Sequence, residues 1–269
     1  MTTESLTFFI IQIVLGAAMI LLGRKLGRMR PRVWKPVAVL ATLISLAWPL
    51  MRVFPEVFLG IFGARVVMYV EVTGMVPLVV LVFSIAALQQ KRRRERRLAS
   101  LLVLVCALYF VRSGLWMVRP PVPDLGETKI QHGVCIQSTG YTCVAASLVT
   151  LLHHHGIEAT ETEMARLCHT EVNGGATDSR AIRALEKKLA GRPFEIRYER
   201  MDYARLREID MPCMVSTKFG FYINHMIPVL AADEETVMLG DPLTGRREVT
   251  IARFRDIWYG AGIWLERTE

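Results

Sequence analysis

Four residues in the second half of the chain have the types and the spacing for nucleophilic acyl chemistry: Gln137, Cys143, His225 and Asp241. The stretch "IQSTGYTCVAASLVTLLHHHG" (136–156) puts a cysteine where an apolar, helix-like run begins, a glutamine upstream of it, and a glycine at the run's end. A thiol in the first turn of a helix meets the positive end of the helix dipole and free backbone N–H groups, which favour the thiolate and make it a nucleophile. Gln137, on the approach loop, can bring its side-chain amide beside the thiol. With the backbone N–H of Cys143 it would donate to the oxyanion that forms when a carbonyl is attacked.

Such a nucleophile requires a base, to be sought among His132, His153, His154, His155, His169 and His225. The run 153–155 closes the nucleophile's own helix, several turns from Cys143, and cannot reach its sulfur. Its consecutive residues point to different helix faces, so it reads as a solvated helix end and not as a metal patch. His225 stands apart. "NHMIPVLAADEETVMLGDP" (224–242) reads as a hairpin turning at "DEE" (233–235), which sets His225 across from Asp241, directly or on the diagonal, on one face. Asp241 then orients the imidazole and His225 takes the thiol proton. This chemistry requires no cofactor, and there is no Cys-x-x-Cys pair of the kind that holds zinc.

The elements that must position these groups follow in order. The run from Thr142 to His155 predicts a helix capped by Gly156. "TETEMARLC" has Thr160 and Glu163 at capping-box spacing, and "DSRAIRALEKKLAG" (178–191) predicts a helix starting at a capping Asp178. After it come short β-branched or aromatic runs between turns: "FEIRYE", "CMVSTKF", "HMIPVLAA", "TVMLGD", "REVTI" and "GIWLER". Helices first and a mostly antiparallel sheet afterwards make an α+β domain.

Residues 130–266 resemble the papain-like cysteine peptidases that process bacteriocin precursors, the double-glycine leader peptidases. The resemblance rests on "QSTGYTC", on "GIEATETEMARLCHTEVNGGATDSRAIRAL", on "NHMIPVL" followed by "GDPLTG", and on the ending "FRDIWYGAGIWLE". It implies a papain-like fold with Cys143, His225 and Asp241 as catalytic triad and Gln137 as oxyanion residue. The chain departs from the family at Val144, where a glycine usually follows the nucleophile.

The first half is of another kind. Residues 1–120 hold 16 Lys and Arg against 4 Asp and Glu, whereas the rest holds 17 against 21, so the net charge of +8 belongs to the first half. With 52% hydrophobic residues, part of the chain belongs in a membrane. Apolar runs at 6–23, 37–51, 72–90 and 98–118 predict four transmembrane helices. "VFLGIFG" (57–63), between the second and third, reads as an interfacial loop or the tip of a span. Basic residues crowd 23–36 and 91–97, and loops of that kind face the cytoplasm. With four spans, both termini then lie outside. "KRRRERR" (91–97) needs no partner beyond anionic lipid headgroups, and nucleic acid is not expected.

The organisation expected is thus a transmembrane domain over 1–118, a Pro- and Gly-rich linker over 119–129, and a papain-like peptidase domain over 130–269. That makes a multi-pass protein of the bacterial inner (cytoplasmic) membrane with its peptidase on the periplasmic side. Its substrates would be peptides or proteins that are exported or membrane-associated. Two alternatives keep the same site: an acyltransferase or transpeptidase in which an amine resolves the acyl-enzyme, and an inactive peptide-binding module. Outside the cytoplasm a disulfide is allowed, such as Cys135 with Cys168, although reduced buried thiols are the expectation.

Overall fold

The structure is a computed structural model that describes residues 3–47, 55–71, 74–119, 122–172, 174–220 and 223–268. The chain divides into two compact units, Met1–Pro120 and Pro121–Glu269.

In the first unit the described residues form helices α1 (Thr3–Leu26), α2 (Pro31–Ala47), α3 (Pro55–Val70), α4 (Val76–Gln89) and α5 (Arg93–Gly114), the last continued by a 3₁₀ turn at Leu115–Met117. Two helical segments, Thr3–Leu26 and Arg93–Met117, are long and apolar enough to cross a membrane. Helix α4 packs against α1, α2 and α5, burying Val80, Leu81 and Ile85. Many large apolar side chains point away from this core; Val14, Leu21, Leu46 and Leu108 are 60–69% exposed. In water an apolar surface of that extent marks an interaction or membrane face. Packing is closest at Gly23, where an added Cβ would stand 2.5 Å from Cβ of Ser84; small residues of this kind let apolar helices approach.

Gln89 Nε2 donates to the Gly27 carbonyl at 2.6 Å, joining the C-terminal ends of α1 and α4. The basic stretches 23–36 and 91–97 therefore leave the helices at one end. At the other end Arg65 pairs with Glu4 at 2.9 Å, and Tyr69 stacks between Phe8 and Trp116. Helix α3 differs from the sequence expectation, since "VFLGIFG" is the first half of a helix and not a loop. Pro55 opens it with its fixed φ, and the apolar run carries it through a kink at Gly63 (φ 72°). The end of the second predicted span and the start of the third lie outside the described residues.

The second unit is α+β. After a short hairpin of β1 (Lys129–Gln131) and β2 (Val134–Ile136) come α6 (Cys143–His154), α7 (Glu161–Leu167) and α8 (Asp178–Lys188). Then follow β3 (Phe194–Arg200), α9 (Tyr203–Arg207), β4 (Cys213–Gly220), β5 (Ile223–Ala232), β6 (Thr236–Asp241), β7 (Gly245–Thr250), α10 (Ile251–Ile257) and β8 (Trp258–Arg267). Six strands make one sheet in the order β3-β8-β4-β5-β6-β7, antiparallel throughout. One core lies between it and α9 and α10, around Val215, Ile227, Leu239, Phe254 and Trp264.

Helix ends follow the local chemistry. Gly156 takes φ +70° just past α6, and the N–H groups of Gly156 and Ile157 return to the carbonyls of His153 and Leu152, closing the helix. Thr160 caps α7 by accepting from the Glu163 N–H at 3.1 Å. Asp178 differs from expectation: Thr177 is the N-cap of α8 and Asp178 its first residue. The Asp178 carboxylate instead accepts from Ser216 Oγ at 3.0 Å, tying α8 to β4. The segment read as a linker is bonded to α7, through Leu125 N–H to Thr162 Oγ1 and Arg166 Nε to the Val122 carbonyl, both at 3.0 Å.

Candidate active site

Cys143 is the first residue of α6, so its thiol sits at the open end of a helix whose following residues, Val144 to Leu152, are all buried. Two side chains of that helix hold it in place. Thr150 Oγ1 accepts from the Cys135 N–H on β2 at 2.9 Å, and Ser147 Oγ donates to the Met226 carbonyl on β5 at 2.9 Å. The second bond pins the Cys143 helix beside the residue that follows His225.

His225 and Asp241 meet because of a fault in the β5-β6 ladder. Near the turn, Ala232 pairs with Val237 and Ala231 with Met238; beyond Leu230 the register slips by one, and Val229 pairs with Leu239. Continued without the slip, the first register would set Asp241 opposite Pro228, on the face that His225 does not share. The slip brings Asp241 opposite Ile227, with His225 on the diagonal and the same face. The two are 95% buried or more, and His225 Nε2 lies 2.8 Å from Asp241 Oδ1.

The bond through Nε2 leaves Nδ1 of His225 to meet the Cys143 thiol. Burial pushes the Cys143 thiol up, but the hydrogen bond with His225, N–H groups of Met226 and Val144, and the imidazolium charge outweigh it, and its pKa lies below the ordinary thiol value. Burial likewise pushes His225 down, yet its bonds to Asp241 and Cys143 and their charges raise it to about 9. Asp241 is raised by burial and lowered more by His225, by the Leu243 N–H and by Arg247, so it stays a carboxylate. The Leu243 N–H donates to Oδ1 at 2.9 Å, and Arg247 lies 3.1 Å from Oδ2.

The other thiols of the unit behave oppositely. Cys135, Cys168 and Cys213 are buried and free, and burial, with no imidazole beside them, pushes each up to about 12. Cys143 is thus the thiol of this unit held ready to ionise. At the far end of α6, His153 and His154 are exposed, and His155 packs edge-on against Phe194 at 5.4 Å.

Gln137 follows β2, its N–H donating at 2.9 Å to the carbonyl of Pro242, the residue after Asp241. Its side-chain Nε2 donates to the Thr139 carbonyl at 2.5 Å, while its buried Oε1 has no hydrogen-bond partner among the described residues. Cys143, His225 and Asp241 therefore form one continuous set of contacts, and Gln137 stands next to it on a loop attached to the Asp241 turn.

Two residues in this arrangement escape the sequence reading: Ser147 and Arg247. Arg247 has a signal in retrospect. The turn at "DPLTG" pairs Asp241 with Gly245, so a residue two further on falls diagonally on the same face. Ser147 has a weaker one, as a polar position inside a wholly buried helical run.

The family model of the peptidase C39 family matches residues 131–269. The chain belongs to the peptidase C39 family. Its members are cysteine peptidases, and the resemblance read from "QSTGYTC" through "GIWLE" is to this family. This C39 peptidase is 28% identical over 134 residues to an uncharacterized protein of Methanothermobacter thermautotrophicus, covering 50% of this chain and 88% of that protein. It is 29% identical over 133 residues to one of Methanothermobacter marburgensis, covering 49% and 87%. Among solved structures it is similar to the peptidase domain of Streptococcus ComA, a bi-functional ABC transporter, at 22% identity and a TM-score of 0.45, covering 50% of this chain and 96% of that domain. It is also similar to a double glycine motif protease from an AMS/PCAT transporter, solved with its leader peptide, at 18% identity and a TM-score of 0.43, covering 55% and 98%.

Proposed function

We propose that this C39 peptidase hydrolyses peptide bonds through Cys143, His225 and Asp241, with Gln137 as oxyanion donor. The observation that supports this reading is His225 held by Asp241 on Nε2 while its other nitrogen faces a thiol of lowered pKa. The thiol proton passes to His225. The Cys143 thiolate attacks the peptide carbonyl, whose oxygen takes the electron pair and is met by the Cys143 N–H and the second amide hydrogen of Gln137. On collapse the C–N bond breaks and His225 gives its proton to the leaving amine. Water, deprotonated by His225, then resolves the thioester and releases the acid and the free thiol.

The first unit is read as a membrane domain over 1–118 with four crossing helices, α1, α2, α4 and α5, joined through 119–129 to the peptidase over 130–269. The shared end of the two basic stretches supports a cytoplasmic position for that end. The contacts of Glu4, Phe8 and Trp116 with α3 at the opposite end support α3 as an outer cap, and an exit of the chain to the periplasmic side. A site tethered there suits exported or membrane-associated peptides.

Two experiments test this. Full-length protein in detergent is incubated with a peptide library and products are read by mass spectrometry. Cleavage by wild type and none by Cys143→Ala is expected, while equal patterns from both would overturn the peptidase reading. A phosphatase reporter fused after Glu269 should be active, and activity of a cytoplasm-only reporter at the same place would reverse the topology.

A further inference from the structure

Glu161 is a buried carboxylate, 1% exposed, that the chemistry above does not use. It is the first residue of α7, and its own N–H donates to Thr128 Oγ1 at 3.0 Å. Its side chain faces the loop between β2 and the nucleophile. Oε1 accepts from the Ser138 N–H at 2.8 Å, and Oε2 accepts from the Ser138 hydroxyl at 2.5 Å. No basic side chain pairs with it among the described residues, so its carboxyl oxygens depend on these donors. Hydrogen bonds to an ionised acceptor are about twice as strong as neutral ones, and a buried carboxylate gives up such partners at high cost.

Ser138 is the residue after Gln137. The loop is otherwise held at Gln137, through its N–H to the Pro242 carbonyl at 2.9 Å, and at Thr139, whose hydroxyl lies 3.1 Å from that of Thr142, the residue before the nucleophile. Glu161 thus closes the one gap between an attachment to the Asp241 turn and an attachment to the Cys143 helix. An oxyanion donor acts only when held at its station before the charge develops, and Gln137 has a side chain long enough to wander if its backbone is loose.

We propose that Glu161 is a positioning residue for the oxyanion site: by gripping both donors of Ser138 it fixes the backbone of Gln137, and so the amide that meets the developing oxyanion. It touches neither the thiol nor the imidazole, so it acts on acyl transfer and not on the nucleophile's ionisation. This rests on the reading of Gln137 as the oxyanion donor.

The test separates those two steps in the full-length protein. Acylation of Cys143 by p-nitrophenyl acetate passes through an oxyanion; alkylation of Cys143 by iodoacetamide does not. Losing an oxyanion donor outright costs about 10²–10³ in rate, so Gln137→Ala should lower acylation on that scale and leave alkylation within about twofold. Glu161→Ala should lower acylation roughly tenfold or more, also with alkylation unchanged. Glu161→Gln, which keeps an oxygen for the Ser138 N–H, should fall between. In the double variant Gln137→Ala/Glu161→Ala the second change should add little, because the group it positions is gone. Unchanged alkylation also shows that the site is folded in each variant, and Ser138→Ala removes one bond from the other partner where Glu161→Ala is poorly expressed. If Gln137→Ala lowers acylation but Glu161→Ala and Ser138→Ala do not, the positioning role is wrong. If acylation and alkylation fall together in the Glu161 variants, the role is general to the fold and the proposal is likewise wrong. If Gln137→Ala itself changes nothing, the oxyanion reading fails first.

Discussion

Replacing His225 with alanine and following alkylation of Cys143 at pH 6 probes the thiol–imidazole contact without any knowledge of the natural substrate. An unassisted thiol of pKa about 8.5 is roughly 0.3% thiolate at that pH. Paired with an imidazolium its pKa lies lower, and each unit of lowering raises the thiolate share about tenfold. Part of this is lost, because a thiolate becomes roughly threefold less nucleophilic for each unit its pKa falls. The wild-type rate should still exceed that of His225→Ala, by about threefold for each unit of that lowering. The true ratio is larger, since removing the imidazole leaves burial, which pushes Cys143 up, as the dominant influence. The same spectra hold a control: Cys135, Cys168 and Cys213, pushed up to about 12, are roughly a millionth ionised at pH 6 and should stay unlabelled. Equal rates in the two proteins, fast or slow, would refute the pairing on which the mechanism stands.

Activity against pH should rise as Cys143 ionises and fall as the pH passes about 9, where His225 loses the proton it gives to the leaving amine; Asp241→Asn should move that alkaline limb down by about 1–3 units, and an unmoved limb would remove Asp241 from the role. His225 also links to stability. Its pKa is about 6.5 unfolded and about 9 folded, so its contribution is complete below the first value and is lost as pH rises through the second, a loss visible as a falling melting temperature. Ser147→Ala leaves the buried Met226 carbonyl without its donor, and should cost about 1–3 kcal/mol in denaturant unfolding of the peptidase unit, together with slower alkylation as α6 loosens against β5. In the first unit, Gly23→Val places a side chain where a Cβ already meets Ser84 and the Leu81 carbonyl at 2.5 and 2.9 Å; thermal scanning in detergent should show a loss of about 1–3 kcal/mol from overpacking.

The sequence by itself determined whatever depends on neighbours along the chain. The helix that begins at Cys143 is written in an apolar run ending at Gly156, the α7 cap in Thr160 and Glu163, and the β5-β6 hairpin in two alternating runs about "DEE". These are local choices made by side-chain period, cap chemistry and turn residues, so a one-dimensional reading reaches them, and the antiparallel sheet follows from short strands joined by short turns. Helix α3 was the exception in the first unit, since an apolar run of that length fits a loop tip or a helix equally until Tyr69 finds Phe8 and Trp116.

Only the tertiary structure decided which groups meet. The one-residue slip past Leu230 sets whether His225 and Asp241 share a face, and it lies in a strand that pairs with both β4 and β6. The bonds of Ser147 to Met226 and of Glu161 to Ser138 join different elements across the fold, and no spacing rule encodes them. The ionisation of Cys143 is of the same kind. Four buried or half-buried cysteines lie in one unit, alike in residue type, and the imidazole that packing brings to Cys143 lowers the pKa of that thiol.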